Sequence, residues 1–283
     1  MRYIGLGDPI RYSSDYVYGY APKENQKKSR IKNAEVTIND VGLRSLFDWK
    51  KSKEEKILFM GDSVTYGGSY IDDHDIFSNL VCSQNKFEKL YLCGNAGVNS
   101  YGIFNIVFRS RYDQRIQDYK IIVFNLVPDD FYRGLKNSET AHFYLNNKIF
   151  PFPAIVEAIN FIAVKYDINK FISKLKQNEK IKNKDSIIDE SINILISEIN
   201  RIENLNKKIL LTYSPSFSKN GSISKESKYI YKKLVGQIDN QIIFLSKTLN
   251  KEMLEDSVHY NKKGHKAVAD KIILEIKKKL NAN

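Results

Sequence analysis

The sequence is poor in the residue types that build disulfide-rich, metal-stapled or fibrous proteins. Among its 283 residues only Cys82 and Cys93 are cysteines, which allows at most one disulfide, and they lack the spacing of a metal-ligand set. We interpret both as small buried apolar residues rather than as a bridge. Six prolines and fourteen glycines exclude collagen-like and low-complexity architectures.

Long hydrophobic runs are also missing. No stretch reaches the roughly 18 uncharged apolar residues that a membrane-spanning helix needs. The N-terminus contains no continuous apolar segment of the kind that a secretory signal carries. We therefore expect no membrane span, and the default prediction for the location of the protein is the cytoplasm.

Acidic residues are outnumbered, because 45 Lys and Arg stand against 33 Asp and Glu, for a net charge of +12. A basic protein can have an anionic partner. The basic residues are dispersed, however, with no long run and no nucleic-acid-binding motif. We attribute the excess to a general bias towards lysine and predict no nucleic-acid partner. An acidic glycan or a membrane surface remains an alternative.

The remaining composition is that of an ordinary globular protein, with 42% hydrophobic and 28% charged residues. Short apolar runs ended by glycine or proline are typical of strands that are buried on both faces. Segments with helical periodicity lie between them, which predicts a parallel sheet covered on both faces by helices. The predicted strands are 56–60, 90–93, 121–124, 209–211 and 242–245, and the predicted helices include 76–85, 103–110 and 263–280.

We predict two parts in this chain. Residues 1–50 have weak periodicity and form an irregular extension, with short strands as an option, that packs on the core. Residues 51–283 form the main domain. The interval 131–207 is too long for a simple crossover and contains two amphipathic stretches, so we expect two or more helices there. Structural packing is the favoured role of this insertion, ahead of a cap beside the site or a helix lying on a membrane.

The first candidate functional residue is Ser63, in the motif Gly-Asp-Ser-Val-Thr-Tyr-Gly at 61–67. The motif directly follows the first predicted buried strand, at the edge where open α/β sheets bind ligands. Ser63 there could supply a nucleophilic hydroxyl and, from its backbone N–H, a donor for an oxyanion. The alternative interpretation is a plain helix N-cap.

A serine hydroxyl needs a base, and His259 is the best candidate among four histidines. Asp256 stands three residues before it in a predicted turn, where its carboxylate can bond the ring, fix the tautomer and stabilise the imidazolium. Asp256 could instead be an ordinary cap or turn residue. We predict that His265 lies on the surface of the last helix. His74 and His142 have no such partner nearby.

Four blocks of this sequence resemble those of the SGNH (GDSL-type) hydrolases, a superfamily of serine esterases and acyl-transferring relatives. The resemblance covers about 56–130 and 241–280, with the region between unmatched. The blocks are Gly-Asp-Ser at 61–63, Asn-Ala-Gly-Val-Asn-Ser at 95–100, Leu-Val-Pro-Asp-Asp at 126–130 and Asp-Ser-Val-His-Tyr-Asn at 256–261.

This resemblance implies a role for each candidate residue. Ser63 is then the nucleophile, His259 the base and Asp256 its partner. The implied fold is a three-layer, flavodoxin-like α/β/α sandwich with a five-stranded parallel sheet. The leader at 18–44 also loosely resembles that of SGNH proteins associated with bacterial surface polysaccharides, which favours O-acetylated sugars as substrates.

The chain departs from the family pattern at two oxyanion positions. Ser100 stands where a glycine is usual. Because serine also has a backbone N–H, this donor is kept. Asp129, with Pro128 as the second choice, stands where an asparagine amide is usual, and an ionised carboxylate cannot donate. Losing one such donor costs about 2.7–4 kcal/mol of transition-state stabilisation. Either Asp129 is protonated, or it faces away, or Asn99 or Asn125 takes its role.

We therefore predict a serine esterase that removes O-acyl groups, with acetyl favoured, from a carbohydrate, and that needs no metal or organic cofactor. The alternatives are an O-acyltransferase with the same triad acting on a surface glycan, a lipid esterase, and a non-catalytic binding module. The sequence leaves the oligomeric state open.

Overall fold

The computed structural model describes residues 5–83, 87, 89–136, 153–165, 184–238 and 242–281. The strands are β1 (Tyr12–Asp15), β2 (Gly19–Pro22), β3 (Gln26–Ser29), β4 (Glu35–Ile38), β5 (Glu55–Gly61), β6 (Tyr91–Asn95), β7 (Ile121–Leu126), β8 (Lys208–Tyr213) and β9 (Ile242–Phe244). The helices are α1 (Ser63–Tyr66), α2 (Phe77–Ser83), α3 (Ile103–Tyr112), α4 (Ala154–Lys165), α5 (Lys184–Asn204), α6 (Lys225–Val235) and α7 (Lys262–Asn281).

The central sheet has five parallel strands in the order β6-β5-β7-β8-β9. Each strand falls on one of the five apolar runs of the sequence, so the predicted sheet is confirmed. Counted along the chain from β5, the order is 2-1-3-4-5, as in flavodoxin-like folds. The chain adds β6 on one side of β5 and then β7 on the other side, so the order in which strands are added reverses between β5 and β7. Ligands of such sheets bind at the carboxyl ends of the strands at this point.

Helices cover both faces of the sheet, which confirms the three-layer α/β/α sandwich. Successive side chains of a strand point to opposite faces, so β5 contributes to two separate cores. Leu58 and Met60 pack in a cluster with residues of α3, α5 and α6. Ile57 and Phe59 pack in the other cluster, with residues of α2 and α7.

The N-terminal segment forms two antiparallel hairpins, β1–β2 and β3–β4. Its aromatic and aliphatic side chains are part of the main core, since Tyr20, Val36 and Trp49 are buried in the same cluster as the central sheet. Arg44 continues this segment to the sheet edge by pairing with Asn95 at the end of β6. The segment therefore reaches the carboxyl edge of the sheet, where the candidate site lies.

The long interval 131–207 contains two helices among its described residues, α4 and α5. Residues 137–152 and 166–183 lie outside the described residues. In α5 one face is buried, with Ile188, Ile192 and Leu195 in the core beside α3. This helix therefore packs as part of the sandwich. The interpretation of the interval as a cap stays a prediction, since much of the interval lies outside the described residues.

The two cysteines correct a prediction from the sequence. Cys82, near the end of α2, and Cys93, within β6, form a disulfide with their Cα atoms 5.7 Å apart. Both side chains are buried as expected, but they are bonded to each other. The spacing of 11 residues did not reveal this pairing, because only the packing of α2 on β6 brings the two side chains together.

No helix among the described residues combines the length and the apolar character needed to cross a bilayer.

Candidate active site

Ser63 begins the one-turn helix α1, directly after β5. Asp62 caps this helix, because its Oδ1 accepts a hydrogen bond from the Val64 N–H at 2.8 Å. Gly61 is required by a close approach, since a Cβ at this position would lie 2.0 Å from Thr65 Oγ1 and 2.6 Å from the Asn125 carbonyl oxygen. Ser63 therefore lies at the start of a capped helix and, at the same time, at the open carboxyl edge of the sheet.

His259 lies in a turn that precedes α7. The turn is closed by a hydrogen bond from the Glu255 N–H to the His259 carbonyl oxygen at 2.8 Å. Within the turn, Asp256 Oδ1 accepts from the N–H groups of Val258 and His259, each at 2.8 Å. These bonds fix the Asp256 carboxylate beside the imidazole.

Three side chains meet here from distant parts of the chain. Ser63 Oγ lies 2.8 Å from His259 Nε2, and His259 Nδ1 lies 2.6 Å from Asp256 Oδ2. With Nδ1 donating to the carboxylate, Nε2 is left as an acceptor for the Ser63 hydroxyl proton. The arrangement can activate a serine hydroxyl for nucleophilic attack.

The electrostatics of the pair fit this chemistry. Burial opposes the charged form of Asp256, but the hydrogen bonds and positive charge of His259 and the Val258 N–H outweigh it and lower the pKa of Asp256 to about 2. Burial likewise tends to lower the pKa of His259, but the bond to Asp256 and the charges of Asp256 and Asp62 raise it overall. A raised pKa makes His259 a stronger base towards the serine proton.

Ser100 lies in a turn that packs against the Ser63 turn. Its φ is +67°, in the left-handed region that favours glycine, which is the residue usual at this position in SGNH hydrolases. The Tyr101 N–H closes the turn by donating to the Val98 carbonyl oxygen at 3.3 Å. Ser100 therefore keeps the backbone conformation of a glycine despite its side chain.

The Asp129 carboxylate is held by two neighbours. Tyr132 donates its hydroxyl to Oδ1, and Arg133 Nη2 lies 3.2 Å from Oδ2. The structure assigns it no hydrogen bond with Ser63 or His259 within the described residues. Of the three explanations considered from the sequence, the structure favours a carboxylate that is bonded elsewhere.

Arg133 is the residue that the sequence reasoning missed. Its Nη1 donates to Asp62 Oδ2 at 2.9 Å and to the Tyr101 carbonyl oxygen at 2.8 Å, and lies 3.4 Å from Asp130 Oδ1. Arg133 thus places a positive charge among three carboxylates beside the nucleophile. Burial and the charge of Asp62 raise the pKa of the fully buried Asp130 well above its ordinary value, against the opposing effect of Arg133. The signal was an arginine three and four residues after Asp130 and Asp129, the spacing of a helical ion pair.

Of the two alternative amide donors, Asn125 has its side chain bonded within the protein core. The side-chain N–H of Asn125 donates to Thr65 Oγ1 at 3.3 Å, and its oxygen accepts from Thr212 and Ser214. The carbonyl oxygen of Asn99 accepts from the Tyr20 hydroxyl at 2.6 Å. Asn125 is therefore part of a buried network under the strands.

The prediction for His265 is wrong. The residue is 1% exposed, and its Nδ1 accepts from the Phe77 N–H at 3.2 Å. Its ring stacks on that of Phe77. Burial and the charge of Arg44 lower the pKa of His265 to about 3. His265 faces the core because α7 packs on α2, and it serves as a neutral packing residue.

A metal site is not found where the chain is described: no three His, Cys, Asp or Glu side chains are grouped as ligands would be. The polar groups at the candidate site instead form two successive hydrogen bonds, from a hydroxyl to an imidazole and from that imidazole to a carboxylate. This is the arrangement of a serine nucleophile with its base and orienting group.

Comparison with known proteins finds similarity only among solved structures. No protein-family model and no curated protein matches the chain. Three similar solved structures are a lipase/acylhydrolase from Enterococcus faecalis, an acetyl xylan esterase from Geobacillus stearothermophilus and a psychrotrophic esterase from a Pseudoalteromonas species.

The likeness to these structures is distant but extends over most of each chain. The Enterococcus protein is 16% identical with a TM-score of 0.49, over 80% of this chain and 96% of the other. The corresponding values are 18%, 0.49, 80% and 95% for the Geobacillus enzyme, and 16%, 0.48, 81% and 100% for the Pseudoalteromonas enzyme. Likeness at this level leaves the activity of this chain to be inferred from its own side chains.

Proposed function

We propose that this chain is a serine esterase of the SGNH type, which removes O-acyl groups, with acetyl favoured, from a carbohydrate. The observation that carries the proposal is the hydrogen-bonded series Ser63 Oγ–His259 Nε2 at 2.8 Å and His259 Nδ1–Asp256 Oδ2 at 2.6 Å. A hydroxyl, a base and an orienting carboxylate in this geometry are the parts that acyl transfer through a serine requires.

The reaction proceeds in two halves. His259 Nε2 takes the proton of Ser63 as Oγ attacks the ester carbonyl carbon, and the carbonyl π electrons move onto oxygen. The intermediate collapses as His259 returns the proton to the leaving alcohol, which leaves an acyl-Ser63. Water, deprotonated by His259, then attacks the acyl group, and Ser63 recovers its proton as the carboxylic acid is released.

The developing oxyanion needs donors, which we assign to the backbone N–H groups of Ser63 and Ser100. The N–H groups of a helix's first turn have no partner within the helix, and Ser63 is the first residue of α1. Ser100 lies in the turn packed against it. Asp129, whose carboxylate bonds Tyr132 and Arg133, is not given a donor role.

A carbohydrate substrate suits the rim of the site. The Asp129 side chain is 48% exposed and that of Glu226 38% exposed, and the Tyr132 hydroxyl bonds both carboxylates. These oxygens can accept hydrogen bonds from sugar hydroxyls, whereas the acyl chain of a lipid requires an apolar channel. Such a channel was expected only within 131–207, which lies partly outside the described residues.

The acyltransferase remains the second candidate function. The same acyl-Ser63 could be resolved by a sugar hydroxyl in place of water, since the two reactions share the first half. The polar rim around Asp129 and Glu226 favours a carbohydrate in either case. Product analysis with and without an acceptor glycan separates them: transfer yields an acylated acceptor, whereas hydrolysis yields only the free acid.

The proposal is tested by the variant Ser63→Ala, assayed on p-nitrophenyl acetate. We expect kcat/KM to fall by about 10³-fold or more, because loss of the nucleophile leaves only binding and oxyanion stabilisation. Ser186→Ala, on the exposed side of α5, is the matched control and should keep wild-type activity. Wild-type hydrolysis by Ser63→Ala would refute the assignment.

A further inference from the structure

The turn that carries Ser100 is in backbone contact with the turn of Ser63. A Cβ on Gly97 would lie 2.3 Å from the Tyr66 nitrogen and 2.9 Å from the Asp62 carbonyl oxygen. The Val98 N–H donates to the Gly61 carbonyl oxygen at 3.2 Å. The position of Ser100 relative to the nucleophile is therefore set by contacts of the main chain, and what remains to be set is the direction of its N–H.

Tyr20, in β2 of the N-terminal segment, bonds the peptide that contains this N–H. Its hydroxyl donates to the Asn99 carbonyl oxygen at 2.6 Å. The Asn99 carbonyl and the Ser100 N–H belong to one planar trans peptide and point in opposite directions. A donor fixed on the carbonyl therefore fixes the N–H on the opposite side, away from Tyr20.

The hydroxyl of Tyr20 is itself held firmly. Its side chain is fully buried, and burial raises the pKa of Tyr20, so that the phenol stays protonated as a donor. Tyr101 donates its hydroxyl to the Tyr20 carbonyl oxygen, and the two rings pack edge to face with centroids 5.2 Å apart. A group that is held on several sides keeps its partner in one orientation.

The other flank of the same turn is tied to the nucleophile. Arg133 Nη1 bonds both the Tyr101 carbonyl oxygen at 2.8 Å and Asp62 Oδ2 at 2.9 Å. The turn is thus held between Arg133 on one side and Tyr20 on the other. Ser100 needs this support because its φ of +67° is disfavoured for a residue with a side chain.

We propose that Tyr20 is a positioning residue of the oxyanion site: its hydroxyl orients the Asn99–Ser100 peptide so that the Ser100 N–H faces the oxyanion formed at Ser63. This inference rests on the proposed esterase function. It gives the N-terminal segment a part in the reaction, which Tyr20 plays through the Asn99–Ser100 peptide and not by contact with Ser63 Oγ.

The test is Tyr20→Phe, which removes one oxygen atom and keeps the ring packing. We expect kcat on p-nitrophenyl acetate to fall by about 10- to 100-fold, because a displaced donor loses much of its effect on the transition state. KM should stay within about twofold of the wild type, since ground-state binding is unchanged. Tyr18→Phe is the matched control: its hydroxyl bonds Arg115 at 3.2 Å, and it should keep wild-type kcat.

A second readout separates positioning from folding. A boronic acid such as phenylboronic acid forms a tetrahedral adduct with the serine and places an oxygen in the oxyanion site. Its inhibition constant should rise in Tyr20→Phe by a factor similar to the fall in kcat/KM, and should not change in Tyr18→Phe. If Tyr20→Phe does not fold, Tyr101→Phe, which releases the Tyr20 carbonyl, should lower kcat and boronate affinity in the same direction.

Wild-type kcat and boronate affinity in folded Tyr20→Phe, with or without a lower Tm, would make Tyr20 purely structural and overturn the inference. The same holds for Tyr101→Phe if it is the variant that folds. Failure of the esterase proposal is distinguishable from this outcome, because Ser63→Ala would then keep wild-type esterase activity. That result would not depend on the kcat of Tyr20→Phe.

Discussion

At the scale of single residues, His259 governs how the proposed activity depends on pH. Its imidazole must be neutral to accept the Ser63 proton, so activity is lost as the pH falls through the pKa of His259. Burial tends to lower this pKa, but the hydrogen bond and charge of Asp256 raise it above the ordinary value of 6.5. Asp256, with its pKa lowered to about 2, stays ionised across this range.

The pH profile of kcat/KM tests this pairing. We expect the wild-type acid limb to have its midpoint above the 6.5 of an ordinary histidine. Asp256→Asn removes the charge that raises this pKa, so the midpoint should move to lower pH while kcat falls by about 10⁴-fold. The measurement runs from about pH 5 to about pH 8. Asp75→Asn, whose carboxylate pairs with Lys262 at 2.6 Å, is the control and should leave the profile unchanged. An unchanged midpoint in Asp256→Asn would contradict the pairing.

The roles of site residues could be predicted from the sequence where the residues of a motif lie close together along the chain. Asp256 and His259 stand three positions apart, so their bond follows from one turn. Arg133 and Tyr20 could not be assigned in this way, because their partners Asp62 and Asn99 are 71 and 79 residues away along the chain. Only the folded chain brings them to the same turn.

At the scale of elements, the five core strands were predictable because each is a continuous apolar run that is buried on both faces. The hairpins β1–β2 and β3–β4 were not, since their side chains alternate weakly and their burial depends on packing against the sheet. In β2 all four residues are buried, including Gly19 and Pro22, a pattern that the local sequence does not favour for a strand.

The disulfide between α2 and β6 leads to a prediction at this scale. It closes a loop of 11 residues, and a crosslink of this span stabilises a protein by about 3 kcal/mol through the unfolded state. The double variant Cys82→Ser, Cys93→Ser should lose about that much free energy of unfolding in urea titrations and keep its kcat, because neither sulfur lies at the site.

The control for this prediction is the thiol count of the unfolded wild-type protein without reductant. We expect no titratable thiol before reduction and two after it. Two free thiols in the unreduced protein, or unchanged stability of the double variant, would show that the bridge does not form in solution.

At the scale of the whole molecule, the structure bears on the predicted environment of the protein. A buried disulfide is typical of oxidising compartments, and the cytoplasmic location expected from the sequence stays a prediction. The division of the chain at residue 50 and the absence of a nucleic-acid partner stay predictions. The N-terminal segment, with Tyr20, Val36 and Trp49 in the main core, contributes to the same hydrophobic cluster as the central sheet.

The central claim is that Ser63, which follows the first strand of the central sheet, is made nucleophilic by His259 and Asp256, which follow its last strand. The most direct measurement is labelling with a fluorophosphonate, followed by peptide mapping with mass spectrometry. The account predicts one adduct, on Ser63, that forms rapidly in the wild type, much more slowly in His259→Gln and not at all in Ser63→Ala. An adduct on a different residue, or no labelling of the folded wild-type protein, would contradict it.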